Sequence, residues 1–263
     1  MPHPPPRTIV ITGAGTGIGA ACARRFAGRC DRVVLIGRRQ APLDALAADT
    51  GGLALAGDAA STADWRRFML RIAERFGRID ALIACAGGHG PGRAHETDDA
   101  QWRDALHANL DTAFVSARAC LPDLIAQRGS IVLVASIAAL AAGPGVCGYT
   151  VGKHALLGLA RSLARDYGPH GVRANAVCPG WVRTPMADAE MKPLMARHRE
   201  SLDAAYARVS ADVPLRHAAE PDEIAAVCAF LASPDASFVT GATLVADGGA
   251  MAVDVPTLAF AGL

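Results

Sequence analysis

RTIVITGAGTGIGAACARRFAG, residues 7–28, passes from a β-branched run through a glycine-rich turn into a helical pattern. A short run of Ile, Val and Thr suits a buried strand, and apolar residues at helical spacing follow the glycines. Strand, turn and helix in that order are what a phosphate-binding turn requires. Glycines allow unusual backbone angles and close approach, and the helix N-terminus offers N–H donors and the positive end of a dipole. A glycine-rich turn alone is as easily a flexible surface loop. Its place between a strand and a helix makes TGAGTGIG, residues 12–19, a dinucleotide-binding candidate.

The same alternation continues outward. DRVVLIGRR, GLALAGD, DALIACAGG, GSIVLVAS, VRANAVCPG and GATLVADGG read as strands. Between them lie helical patterns in APLDALAADT, ADWRRFMLRIAERFG, the long QWRDALHANLDTAFVSARACLPDLIAQ and YTVGKHALLGLARSLARDYG. Near-continuous apolar strands alternating with helices mean a parallel sheet covered on both faces, a single-domain, doubly wound α/β fold of the Rossmann type. At 263 residues the chain can bury one sizeable core. No repeat or internal linker divides it, so residues 1–263 are expected to be one domain with a flexible N-terminal lead over 1–6.

A net charge of +1, with 19% charged residues, gives no broad basic field for nucleic acid and no polybasic membrane patch. No apolar run is long enough to span a bilayer, and MPHPPPRT is a proline-rich lead rather than a signal peptide. Cys22, Cys30, Cys85, Cys120, Cys147, Cys178 and Cys228 are odd in number, have apolar neighbours and show no CxxC spacing. Small buried thiols in a reducing cytoplasm are expected. His89 and His95 share a loop but bring no third ligand, so no metal site is expected.

The second strand bears on the cofactor. An NAD site wants a carboxylate about 20 residues past the turn, whereas an NADP site wants arginine. Here the strand ends in Gly37, Arg38 and Arg39. Guanidinium groups suit a 2′-phosphate, so NADP is favoured over NAD, with an ordinary solvated arginine pair as the plainer alternative. Asp58, at the end of the third strand, reads equally as an acceptor for an adenine amino group or as a helix cap.

Tyr149 and Lys153 are four residues apart on a largely apolar helix and so share a face. A phenol holds its proton to pH near 10, and a nearby ammonium would lower that value. Ser136 ends the strand SIVLVAS at the sheet edge where such folds bind ligands. Taken singly, the three are equally a core tyrosine, a snorkelling lysine and a strand end.

In this order they resemble the short-chain dehydrogenase/reductase family in its common compact form, in particular 3-oxoacyl-ACP reductase-like members. The resemblance runs from Arg7 to about Ala250 and rests on TGAGTGIG, ACAGG, Asn109 in HANLDTAF, Ser136, YTVGK, CPGWVRTP and FVTGATLVADGG. It implies Tyr149 as general acid/base, Lys153 as the group that lowers its pKa and holds the nicotinamide ribose, and Ser136 as the orienter of the substrate oxygen. Asn109 would support a water relay to Lys153. Gly13, Thr16, Gly17, Ile18 and Gly19 would line the pyrophosphate and nearby ribose, Asp58, Ala86 and Gly87 the adenosine, and Pro179, Gly180, Val182 and Thr184 the nicotinamide. The implied chemistry is NADP(H)-dependent hydride transfer between a ketone and a secondary alcohol. An NAD-dependent dehydrogenase and a non-catalytic nucleotide-binding regulator are the alternatives. One departure stands out: the family usually has Asn-Asn-Ala-Gly where this chain has Ala84, Cys85, Ala86 and Gly87. A structural cost is expected from the missing amides.

After the PG pair, residues 184–214 read as one or two amphipathic helices, which the resemblance makes a substrate lid. Met186, Met191 and Met195 suit either an adaptable pocket or helix packing. His89, Val146, Trp181 and Met186 are the candidate pocket walls for an apolar, ring-containing alcohol or ketone, with an acyl thioester left open. The apolar tail, 250–263, has no strand partner in view. It either covers its own subunit or packs across an interface of the homotetramer that the resemblance implies.

Overall fold

The computed structural model describes residues 6–260. The rest of the proline-rich lead and the last three residues of the tail lie outside the described residues. Among the described residues the strands are β1 (Thr8–Thr12), β2 (Arg32–Gly37), β3 (Leu53–Ala56), β4 (Ala81–Ala84), β5 (Ser130–Val134), β6 (Arg173–Pro179) and β7 (Thr243–Ala246). They form one parallel sheet in the order β3-β2-β1-β4-β5-β6-β7. The helices are α1 (Gly17–Ala27), α2 (Gln40–Thr50), α3 (Thr62–Phe76), α4 (Asp99–Leu106), α5 (Thr112–Gln127), α6 (Cys147–Tyr167), α7 (Pro185–His198), α8 (Leu202–Val209) and α9 (Pro221–Leu231). None of the described helices is long and apolar enough to cross a membrane.

The strands read as unbroken apolar runs because both faces are covered. Val10, Val34 and Leu82 point into one core with Trp65 and Phe68 of α3. Ile9, Ile11, Leu35 and Ile83 point into the other with Phe26 of α1 and Ile224 of α9. Each fully buried aliphatic side chain contributes roughly 1.5–3 kcal/mol. β1 is the hinge of the topology. It pairs with β2 on one side and β4 on the other, so successive crossovers diverge there and leave a crevice at the strands' C-terminal ends.

Two local readings change. Ser61, not Asp58, caps α3, its Oγ accepting from the Asp64 N–H at 3.2 Å. The long helical stretch over 101–127 is interrupted by a π turn, His107–Asp111, between α4 and α5. There Asn109 Nδ2 donates to the Ala105 carbonyl at 3.0 Å and Thr112 Oγ1 to the Ala108 carbonyl at 2.9 Å. Side chains thereby take carbonyls that an α-helix would give to backbone N–H groups, and the ladder shifts by one residue. The cysteines also divide. Cys22, Cys120, Cys178 and Cys228 are buried, but Cys30 is exposed and Cys85 and Cys147 are half-buried.

Candidate functional site

The candidate catalytic, cofactor and pocket-wall residues all border one cavity of about 1310 Å³ at the C-terminal edge of the sheet. It runs from Gly13, Thr16, Gly17, Ile18, Gly19, Arg38, Arg39 and Asp58, past Ala86, Gly87 and Asn109, to Ser136, Tyr149 and Lys153. It continues under Pro179, Gly180, Val182 and Thr184 to His89, Val146, Trp181 and Met186.

The turn after β1 is shaped by backbone contact. Gly13 has φ +66°, and a Cβ there would stand 2.8 Å from the Ala86 backbone nitrogen. Only glycine lets the two turns approach this closely. The same junction is tied by the Ala86 N–H donating to Thr12 Oγ1 at 3.1 Å, one bond that spans β1 and β4 where the family's amides are missing. The helix ends differ in their caps. α3, α4, α7 and α8 are capped by Ser61, Asp98, Thr184 and Ser201, whereas Thr16 and Arg39 make no side-chain cap on α1 and α2. The first-turn N–H groups of α1, at Gly17, Ile18 and Gly19, therefore remain open to an anion in the cavity. A dinucleotide phosphate fits this donor set, and the exposed Arg38 and Arg39 stand beside it.

Asp58 borders the cavity. Its Oδ1 accepts from the Ala60 N–H at 2.9 Å, and its Oδ2 lies 2.9 Å from His107 Nε2. Burial pushes its carboxyl up, but the Ala60 N–H, His107 and the Arg38 charge together hold it below the usual value. His107 went unnoticed in the sequence because the π turn, which aims it at Asp58, has no sequence signature.

At the centre, Lys153 is buried, 5% exposed, and does not snorkel. Its Nζ donates to the Val134 carbonyl at 3.1 Å and stands 5.6 Å from the Tyr149 ring centroid. Burial brings its pKa down to about 8, with the charges of Cys85 and Cys178 pulling the other way. The Tyr149 phenol departs from expectation. Among the protein's own groups, burial raises its pKa, Ser136 counters by hydrogen bonding and the Glu190 charge raises it further. The proximity of Lys153 does not leave it lowered. Asn109 is wholly buried, its Oδ1 accepting from the Gly88 N–H at 3.2 Å. A Cβ built on Gly87 would lie 3.3 Å from Lys153 Nζ and 3.4 Å from Asn109 Oδ1, so these polar atoms flank one small gap.

The far wall is α7, with α8 packed behind it, two helices in the expected segment. Thr184 caps α7, and its methyl would meet a Cβ on Gly17 at 3.0 Å, which joins this wall to the glycine turn. α7 and α8 share a small core of their own in which Met191 and Tyr206 are buried. Tyr206 donates to Asp188 Oδ1 at 2.7 Å, and the Arg183 guanidinium sits 4.6 Å from its ring. Of the methionines, Met186 borders the cavity, whereas Met191 and Met195 serve helix packing. Glu190 also borders the cavity and was missed. It sits four residues beyond Met186, on the same helix face, which was the available signal.

Known proteins place this geometry. A family profile described as Enoyl-(Acyl carrier protein) reductase matches residues 13–251. The chain is 55% identical over 256 residues to Protein MoaE of Klebsiella aerogenes, covering 97% of this chain and 99% of that one. It is 37% identical to the meso-2,3-butanediol dehydrogenase of Serratia marcescens, covering 94% and 96%. The L-sorbose reductase of Gluconobacter frateurii, solved with NADPH and L-sorbose, superimposes with a TM-score of 0.88 at 27% identity, covering 94% and 97%. The chain belongs to the short-chain dehydrogenase/reductase family.

Proposed function

We propose that the protein is an NADP(H)-dependent oxidoreductase that interconverts a ketone and a secondary alcohol, with Tyr149 as general acid/base. The observation that carries this is the meeting of Ser136, Tyr149 and Lys153 with the uncapped helix end of the glycine turn in one cavity. The cofactor, when bound, supplies or accepts the hydride. The chain's residues do the rest. Ser136 and Tyr149 hold the substrate oxygen, and in the reductive direction the phenol gives it a proton. Burial raises the Tyr149 pKa in the protein itself, so the phenol holds its proton at neutral pH. Lys153, at the ribose, and Asn109 flank the gap through which a water replaces that proton. α7 and α8 act as the lid over residues 184–214, and Trp181, Val146, His89 and Met186 line the substrate side.

Arg38 and Arg39 support NADP over NAD. They are exposed at the end of β2, where a 2′-phosphate would be met by several N–H donors. Fluorescence titration with NADPH and NADH tests this. NADPH should bind more tightly, and Arg38→Asp should weaken it by roughly ten- to a hundredfold while NADH gains. An unchanged preference would remove Arg38 from the site. A homotetramer is part of the same proposal. It is supported by the exposed apolar residues on the edge strand β7, Leu244 and Val245, and by Met251, Val255 and Phe260 of the tail. Sedimentation analysis tests it.

A further inference from the structure

The charged groups around the cavity are divided between its two ends. The arginine pair, Asp58 and His107 gather at the end under β2 and β3. Lys153 is buried against the Val134 carbonyl. That leaves one ion pair at the lid end, His89 Nδ1 to Glu190 Oε1 at 3.0 Å. The two partners come from elements that are held quite differently. His89 lies on the loop after β4, which is fastened to the start of α6. Tyr149 N–H donates to the Gly90 carbonyl at 3.4 Å, and Gly92 N–H to Gly145 at 2.8 Å. Contact at Gly90 is so close that a Cβ there would stand 2.5 Å from the Tyr149 nitrogen. Glu190 comes from the lid helix α7.

The carboxylate has capacity left over. Two oxygens can accept about four hydrogen bonds, and Oε1 lies 3.0 Å from His89 Nδ1. Among the described residues no second donor lies within reach of Glu190. It lines the same cavity as Ser136 and Tyr149, and its charge raises the pKa of the Tyr149 phenol. With Lys153 committed, no lysine or arginine among the described residues lining this end is free to meet an anionic substrate.

Resting on the oxidoreductase assignment above, we propose that Glu190, held by His89, is the specificity determinant of the substrate pocket. It selects ketones and alcohols that carry a hydrogen-bond donor, a hydroxyl or an ammonium, beside the reacting carbon, and it repels carboxylates. A simple apolar ketone leaves the carboxylate facing bare carbon and forfeits that contact.

The test is a comparison of kcat/KM on four aryl ketones with NADPH. These are α-aminoacetophenone, α-hydroxyacetophenone, propiophenone, in which a methyl replaces the polar group, and the anion benzoylacetate. The wild type should favour the amino or hydroxy ketone over propiophenone by roughly ten- to a hundredfold, with benzoylacetate last. Whichever of the two leads identifies the donor. Glu190→Gln should cut the amino-to-methyl ratio by about tenfold or more and the hydroxy-to-methyl ratio less, because the amide oxygen still accepts. Glu190→Leu should cut both. Ratios within one variant are insensitive to how much of it folds. The proposal is overturned if the ratios survive Glu190→Gln or if benzoylacetate is preferred. If the wild type binds NADPH yet reduces none of the four, the oxidoreductase assignment falls, and this proposal with it.

Discussion

The two ends of the cavity are built by different means. The end at the glycine turn is made of backbone. Gly13 presses on Ala86, the first-turn N–H groups of α1 stay uncapped, and both rest on the central strands of the sheet. The lid end is made of side chains. α7 and α8 carry their own small core, Tyr206 ties one to the other, and the link to the β4 loop is one exposed His–Glu pair. A backbone site changes only when the sheet changes. A side-chain site can be retuned by single substitutions that leave the sheet intact. A common nucleotide can therefore be paired with many alcohols on one scaffold.

The largest effect is expected where the two ends meet. Tyr149→Phe removes the hydroxyl proposed as proton donor and keeps the ring, so turnover should fall by about a thousandfold or more while NADPH affinity stays within about twofold. Loss of NADPH binding in step with turnover would mean that Tyr149 serves the cofactor site instead.

Lys153 belongs to the same junction and gives a pH signature. Its folded pKa, about 8, lies below that of an unfolded lysine. Below about pH 8 both states hold the proton and the burial penalty is constant. Between about pH 8 and 10.4 only the unfolded chain holds it, so folding stability rises with pH by an amount on the order of 3 kcal/mol. Denaturant unfolding should show this rise in the wild type and lack it in Lys153→Met. Parallel pH profiles would place the ammonium in water.

How much of this was legible follows the same division. The glycine turn, the arginines of β2 and the Tyr149–Lys153 pair could be read because local spacing fixes them. Two residues lie on one helix face wherever that helix docks. The π turn was hidden, since it depends on Asn109 and Thr112 turning their side chains onto carbonyls, a choice no propensity encodes. His107 was missed for that reason. Glu190 was missed for another: an acidic residue on an amphipathic helix is ordinarily a solvated one, and only the packing of α7 and α8 turns its face to the cavity. The sign of the Tyr149 shift was misjudged because spacing shows the nearby ammonium but not the burial.

A smaller effect should separate lid from sheet. Tyr206→Phe deletes the hydroxyl that donates to Asp188 and leaves that carboxylate short of a partner, at a cost of roughly 1.5–3 kcal/mol. The loss should be local. Hydrogen exchange over residues 185–209 should quicken while the strands β1 and β4 keep their protection. Equal loosening of both would show that the lid unfolds only with the whole domain.

The smallest effect sharpens the comparison most. The cavity has a His–carboxylate pair at each end, His107 with Asp58 at 2.9 Å and His89 with Glu190 at 3.0 Å. Their distances are alike, but only the His107–Asp58 pair is a hydrogen bond, and their surroundings differ as well. Asp58 also accepts from the Ala60 N–H and feels Arg38, so its carboxylate stays in place when the imidazole is gone. Among the described residues Glu190 has only His89. Both imidazoles are half exposed, where an ion pair contributes on the order of 0.2–1 kcal/mol. His107→Ala should therefore lower stability by no more than about 0.5 kcal/mol and change NADPH affinity by less than about threefold in calorimetric titration. A tenfold loss would make His107 a cofactor ligand in its own right, and the backbone-built end would then owe part of its affinity to a side chain.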